Sequence, residues 1–124
     1  MTTRAPRENQ PEWDAEVMRD IVATEHTEAI VVTDRNGRVL DAQIRREVPA
    51  ALGALLEASV AAMAAAGEHF SLGEMRLAAS LHDAGTLVCG RTPRHSVFIL
   101  ASSKANLGQL IGQARRVFPG WGPA

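Results

Sequence analysis

The sequence predicts an α+β domain in which helices cover both faces of one mostly antiparallel sheet of five strands. Three observations predict it. Segments of helical and strand period follow one another in the order α-β-β-α-β-β-β-α. Turn signals at Asp34-Arg35-Asn36-Gly37 and Asp83-Ala84-Gly85 join neighbouring strands. Two strands, 29–33 and 96–101, are apolar on both faces, so each needs cover from both sides.

Residues 1–10 are polar, contain Pro6 and read as a flexible tail. Pro11 suits the first turn of a helix over about 11–24, where Trp13, Val17, Ile21 and Val22 recur at helical spacing. Ala29-Ile30-Val31-Val32-Thr33 is a β-branched apolar run. Arg38 to Ile44 returns from the Asn-Gly turn, and its Val39/Leu40 pair among Arg38, Asp41 and Gln43 suits a sheet edge. Val48 to Gly67 is the central helix, with Gly67 as its stop. Glu74 to His82 alternates, Met75, Leu77, Ala79 and Leu81 against Glu74, Arg76, Ser80 and His82, as in a strand wet on one side. Thr86 to Arg91 is the next strand, closed by Pro93, and Ser96-Val97-Phe98-Ile99-Leu100-Ala101 is the central one. Ser103 is expected to cap the last helix, whose stripe is Leu107, Leu110, Ile111, Ala114, Val117 and Phe118. Arg115 and Arg116 sit favourably near its C-terminus, and Pro119-Gly120 ends it. The folded domain is thus 11–118, with 119–124 a short tail holding Trp121.

Composition narrows the function. The 124 residues suit one domain, and 46% apolar with 22% charged residues is an ordinary globular balance. A net charge of −1 lacks the basic excess of a nucleic-acid binder. Cys89 is the single cysteine, which excludes an intrachain disulfide and fits a reducing cytoplasm. No signal peptide is expected, because the first residues hold no apolar run. The stretch 48–67 is long enough to cross a bilayer, but it is mostly alanine and carries Glu57. An acidic residue near mid-membrane costs about 2.5–3.5 kcal/mol. Membrane insertion is therefore rejected, and this helix needs another burial partner.

At about 100° per residue, Val48, Leu52, Leu55, Leu56, Val60 and Met63 fall on one stripe that suits the domain's own sheet. The opposite face carries Ala50, Ala54, Glu57, Ala58, Ala61, Ala64 and Ala65, with Glu57 its one charge. A helix that is hydrophobic all round is normally buried all round. A smooth ridge of Ala54, Ala58, Ala61 and Ala65 lets another helix approach near the lower end of the usual 8–10 Å or so. A two-fold axis would make the same helix of another copy antiparallel to it. Alanine is also the best helix former and is tolerated in solvent, which is the competing account. The shortage of charge favours an interaction face.

No chemistry competes with that reading. There is no Gly-x-x-x-x-Gly-Lys-Ser/Thr loop, and the lone Lys104 has no glycines before it, so nucleotide hydrolysis is not expected. Ser80, His82 and Asp83 have the letters of a triad, but alternation sends Asp83 to the other face. They read as solvated strand residues. Cys89, His82 and His95 lack metal-ligand spacing, and Cys89 reads as a small core residue. Asp34-x-Asn36-Gly37 lacks the further ligands of a calcium loop. Three basic clusters, Arg91/Arg94/His95, Arg45/Arg46 and Arg115/Arg116, read as solvated surface able to meet an acidic partner. No catalytic residue, cofactor or metal is expected.

In order and spacing, these pieces resemble the Roadblock/dynein light-chain (LAMTOR/MglB-like) family over about residues 12–118. The resemblance rests on the helix before Ala29-Ile30-Val31-Val32, the Asp34-Arg35-Asn36-Gly37-Arg38-Val39-Leu40 hairpin, the alanine-rich helix and the Met75-to-Cys89 strand pair. Ser96 to Ala101 leading into Ala105-Asn106-Leu107-Gly108-Gln109-Leu110 completes it. Pro49 and Gly53 are mild departures in helix propensity. The resemblance implies a five-stranded antiparallel sandwich of profilin-like/Roadblock type, with the central helix on one face and the terminal helices on the other. It also implies a homodimer with central helices side by side and edge strands joined. The implied dimer and partner surface is Ala50, Ala54, Glu57, Ala58, Ala61 and Ala65, with the pairing edge near Glu74 and Arg76. The implied function is a non-catalytic module: a regulator or scaffold of a small Ras-like GTPase, or a light-chain-type adaptor. The rival is a monomeric sensor of profilin-like or PAS-like architecture. A sensor needs a pocket, and Leu77, Leu81, Phe98 and Leu100 are expected to fill that space.

Overall fold

A computed structural model of the chain describes residues 12–45 and 51–118. The expectations for both tails, Pro11, Arg46 and Val48 to Ala50 fall outside the described residues. The elements are α1 (Ala15–Ala23), β1 (Thr27–Asp34), β2 (Val39–Ile44), α2 (Leu52–His69), β3 (Leu77–His82), β4 (Gly85–Arg91), β5 (His95–Ser102) and α3 (Leu107–Val117). Their order is the expected one. The five strands form one sheet in the order β2-β1-β5-β4-β3, with every neighbouring pair antiparallel. The doubly apolar β5 lies at its centre, and the more polar β2 and β3 are its edges.

Capping residues set several helix ends differently from the expectation. The first helix begins at Ala15, because the Asp14 carboxylate accepts from the Glu16 and Val17 amides. The last begins at Leu107, because Asn106 rather than Ser103 supplies the cap, accepting from the Gln109 amide at 2.9 Å. Gly67 does not stop α2, which continues to His69. The stop is Ser71, at φ +62°, which donates to the Glu68 carbonyl while Leu72 donates to that of Gly67. These two bonds form a Schellman motif with serine in the left-handed position.

The expected hairpin turn is present. The Asp34 carboxylate accepts from the Asn36 and Arg38 amides, and Gly37 turns at φ +88°. Hydrogen bonding to the Arg38 amide, reinforced by its guanidinium, holds the Asp34 carboxyl below the usual carboxylate range.

One face of the sheet carries the main core. Met18 and Ile21 of α1 and Leu110, Ala114 and Val117 of α3, followed by Phe118, pack on Ile30, Val32, Val88, Val97 and Ile99, all essentially inaccessible. The other face carries α2 and a far smaller core of Val60, Cys89 and Phe98.

Candidate interaction surface

The placement of α2 begins with main chain. A side chain on Gly53 would put its Cβ 2.4 Å from the Gly37 carbonyl oxygen. The glycine that looked like a departure in propensity is what lets the helix rest on the hairpin turn.

Four residues further on, Glu57 fixes the helix's rotation. Sequence reasoning put Glu57 on the outer face, and the structure corrects that: its side chain turns inward and is 5% exposed. Oε1 accepts from Nη2 of Arg91 at 2.6 Å, and Oε2 accepts from the Ser96 hydroxyl at 2.9 Å. Arg35 stands 3.8 Å from Oε1 and donates through Nη1 to the Thr92 carbonyl. A buried carboxylate persists only where charge and hydrogen bonds offset its lost hydration, and this site supplies both. Arg91 is as buried as Glu57, so it is a structural partner rather than the solvated base expected.

Consequently α2 is rotated by roughly a quarter turn from the expected stripe, at 100° per residue. Gly53, Glu57 and Val60 are buried, while Leu55 and Met63, expected on the sheet, are 61% and 50% exposed. Ala54, Ala58, Ala61 and Ala65 are exposed as expected, together with Leu55, Ser59, Ala62, Met63 and Ala66. With Glu57 withdrawn, no exposed residue between 54 and 66 is ionisable. Helix and turn continue into Phe70 and Leu72, which are 72% and 75% exposed.

The predicted edge is also modified. The strand starts at Leu77, so Glu74 and Arg76 are exposed residues ahead of it, though the Arg76 carbonyl accepts from the Arg91 amide at 2.8 Å. Among the described residues β3 pairs only with β4, leaving its outer edge open.

The sheet face beneath α2 is not filled, which corrects a second expectation. Leu77 packs in the α1/α3 core, and Leu81 is 70% exposed beyond it. Phe98 and Leu100 face α2 but leave a cleft of about 390 Å³. Leu52 and Leu56 form its helical wall, Val31, Leu87, Phe98 and Leu100 its floor, and His82 and Thr86 its polar groups. A shallower recess follows the same flank of α2, past Ser59 and Met63 against Ala78 and Ser80.

The remaining polar candidates are arranged as follows. Ser80 Oγ and His82 Nε2 are 2.6 Å apart on exposed β3, and among the described residues no carboxylate joins them. Without a third group to orient the imidazole, the pair lacks the organisation of an activated nucleophile. His95 and Arg94 both reach Glu12, at 3.0 and 3.2 Å, so that basic cluster is neutralised within the chain. Cys89 is buried under α2, and burial, with the Glu57 carboxylate adding to it, pushes its thiol up to about 12. Among the described residues no three His, Cys, Asp or Glu side chains are placed to hold a metal, and no helix is long and apolar enough to cross a membrane.

The missed residues are Arg91, Ser96 and Arg35, which position Glu57. One signal pointed to them: a lone carboxylate in a charge-free helix and a lone guanidinium ending an apolar strand.

No family model matches the chain, and no curated protein matches it either. Among solved structures, it is similar to the gliding protein MglB from Thermus thermophilus, with a TM-score of 0.73 and 17% identity over 82% of this chain and 80% of that one. It is similar to a Roadblock/LC7 domain from Streptomyces avermitilis, at 0.71 and 20% identity over 80% and 86% of the two chains. It is also similar to profilin II from Acanthamoeba castellanii, at 0.61 and 14% identity over 86% and 94%. These likenesses show the fold.

Proposed function

From a chain with the Roadblock/LC7 fold, we propose a non-catalytic interaction module that works as a homodimer in the cytoplasm. Its expected role is to regulate or scaffold a small Ras-like GTPase, or to act as a light-chain-type adaptor. One observation carries this reading: the exposed surface of α2 from 54 to 66 has no ionisable side chain. A helix surface of that kind is ordinarily covered. The interface is assigned to Ala54, Ala58, Ala61 and Ala65, with Ala50 continuing the ridge in sequence, and to the open edge of β3 flanked by Glu74 and Arg76. Glu57 supports the surface from behind and does not belong to it.

Sedimentation equilibrium over a concentration series tests the reading. A dimer persisting at low micromolar concentration is expected for the wild type. Ala58→Arg is expected to be monomeric with an unchanged circular dichroism spectrum, and to lose capture of a small GTPase. An Ala58→Arg chain that dimerises and binds as the wild type does removes α2 from the interface. The cleft under α2 favours a second reading, a monomeric sensor for a small apolar molecule. A monomeric wild type would select it.

A further inference from the structure

Two apolar features have no counterpart within the described chain, and they lie at opposite ends of α2. The cleft is walled by Leu52 and Leu56 in the first two turns. Phe70 and Leu72 stand out beyond the last turn, among the most exposed large apolar side chains of the described residues. They are not loosely held. The Schellman bonds at Ser71 and Leu72 fix the turn, and the His69 ring meets Phe70 edge-on at 5.5 Å. The chain thus holds two large apolar side chains in water on a defined turn, at the far end of the helix from an open apolar cleft that they cannot reach. About eighteen residues of helix, some 27 Å, separate Leu52 from Phe70.

A two-fold axis removes that separation. Antiparallel pairing of two α2 helices about the middle of the charge-free stretch, near Val60, brings position 70 of one copy within about one turn of Leu52 in the other. We propose that the cleft is the receptor for a second copy of this chain, with Phe70 and Leu72 of each protomer inserted against Leu52, Leu56, Phe98 and Leu100 of the other. The floor suits such a hook: Val31, Leu87, Phe98 and Leu100 have hydrocarbon side chains, and the polar residues of the lining are His82 and Thr86. The exchange is reciprocal, so a single two-fold operation covers both hooks and fills both clefts. This rests on the homodimer reading and specifies what locks it.

The test separates the two. In the 124-residue chain, Phe70→Ser/Leu72→Ser changes only exposed side chains, so the monomer fold is expected to survive by circular dichroism. Self-association is expected to weaken at least about tenfold, from the burial lost by two large apolar side chains. A second chain carries Phe70→Cys and Leu52→Cys, the pair that the two-fold brings together. These positions are about 27 Å apart along one helix, too far to bridge within a chain. Oxidation is therefore expected to give a covalent dimer, and neither single substitution is expected to give one. A wild-type dimer with unaltered affinity in the double-serine chain, or with no covalent dimer from the cysteine pair, overturns the hook and leaves the α2 interface standing. A wild type that is monomeric throughout overturns both.

Discussion

The two faces of the sheet are built on different physics. The face under α1 and α3 is closed by interlocking hydrocarbon from Met18, Ile21, Leu110, Ala114 and Val117. Among the described residues, the face under α2 gathers a small core cluster of Val60, Cys89 and Phe98, and it relies on a two-glycine contact and the Glu57–Arg91–Ser96 latch. The first arrangement derives its stability mainly from burial. The second holds a helix in place while leaving most of that helix's apolar surface unused. A domain needing only to fold would have no use for the difference, whereas one that meets partners does.

Mutations at each face sharpen the comparison. The largest effect is expected at the latch. Glu57→Ala strands a buried guanidinium and is expected to cost about 3–5 kcal/mol. Combining Glu57→Leu with Arg91→Met, which removes both charges, is expected to bring stability back near the wild-type value. Urea unfolding measures each, and a mild Glu57→Ala would mean that α2 is held mainly by other contacts. Next comes Ile99→Ala on the closed face, expected to cost about 3 kcal/mol because it opens a cavity. Leu56→Ala beside the existing cleft creates no new cavity and is expected to cost about 1 kcal/mol. Equal losses would erase the distinction between the faces. The smallest effect concerns Cys89, which lies under α2. The folded state holds its proton to about 12, against a reference near 9.0. A raised thiol pKa means the folded state binds more protons than the unfolded one above pH 9, so stability falls as pH rises through that range. At pH 8 the thiol is expected to resist a disulfide reagent until the chain unfolds. Reaction at the rate of a free thiol in the folded state would show α2 lifting from the sheet.

Much of the architecture was legible in the residues. Strand order of burial followed from composition: Val97 to Ala101 is an unbroken apolar run and its strand became the centre, while Arg38 to Ile44 sets its Val39/Leu40 pair among Arg38, Asp41 and Gln43 and became an edge. Helix boundaries were less legible, because several capping residues compete locally and only one geometry wins. Asn106 displaced Ser103, and Ser71 took the left-handed position that Gly67 seemed to offer. The rotation of α2 was hidden for a different reason. A charge in a helix is ordinarily assigned to water, and only the three-dimensional meeting of Glu57 with Arg91 and Ser96 reverses that assignment. The cleft was illegible too, since it depends on how far a helix extends over a sheet and not on which residues either contains.

The contact between Gly53 and the Gly37 carbonyl has a consequence for how this surface can diverge. Together with Glu57, it locates the helix through main chain and an inward-facing carboxylate, both in its first two turns. The exposed side chains from Ala54 to Ala66 have no share in that task. Their identities are therefore free to drift, one substitution at a time, without moving the scaffold that presents them. On the proposed reading, a lineage could exchange one partner for another on this helix while the fold beneath it stays under separate selection.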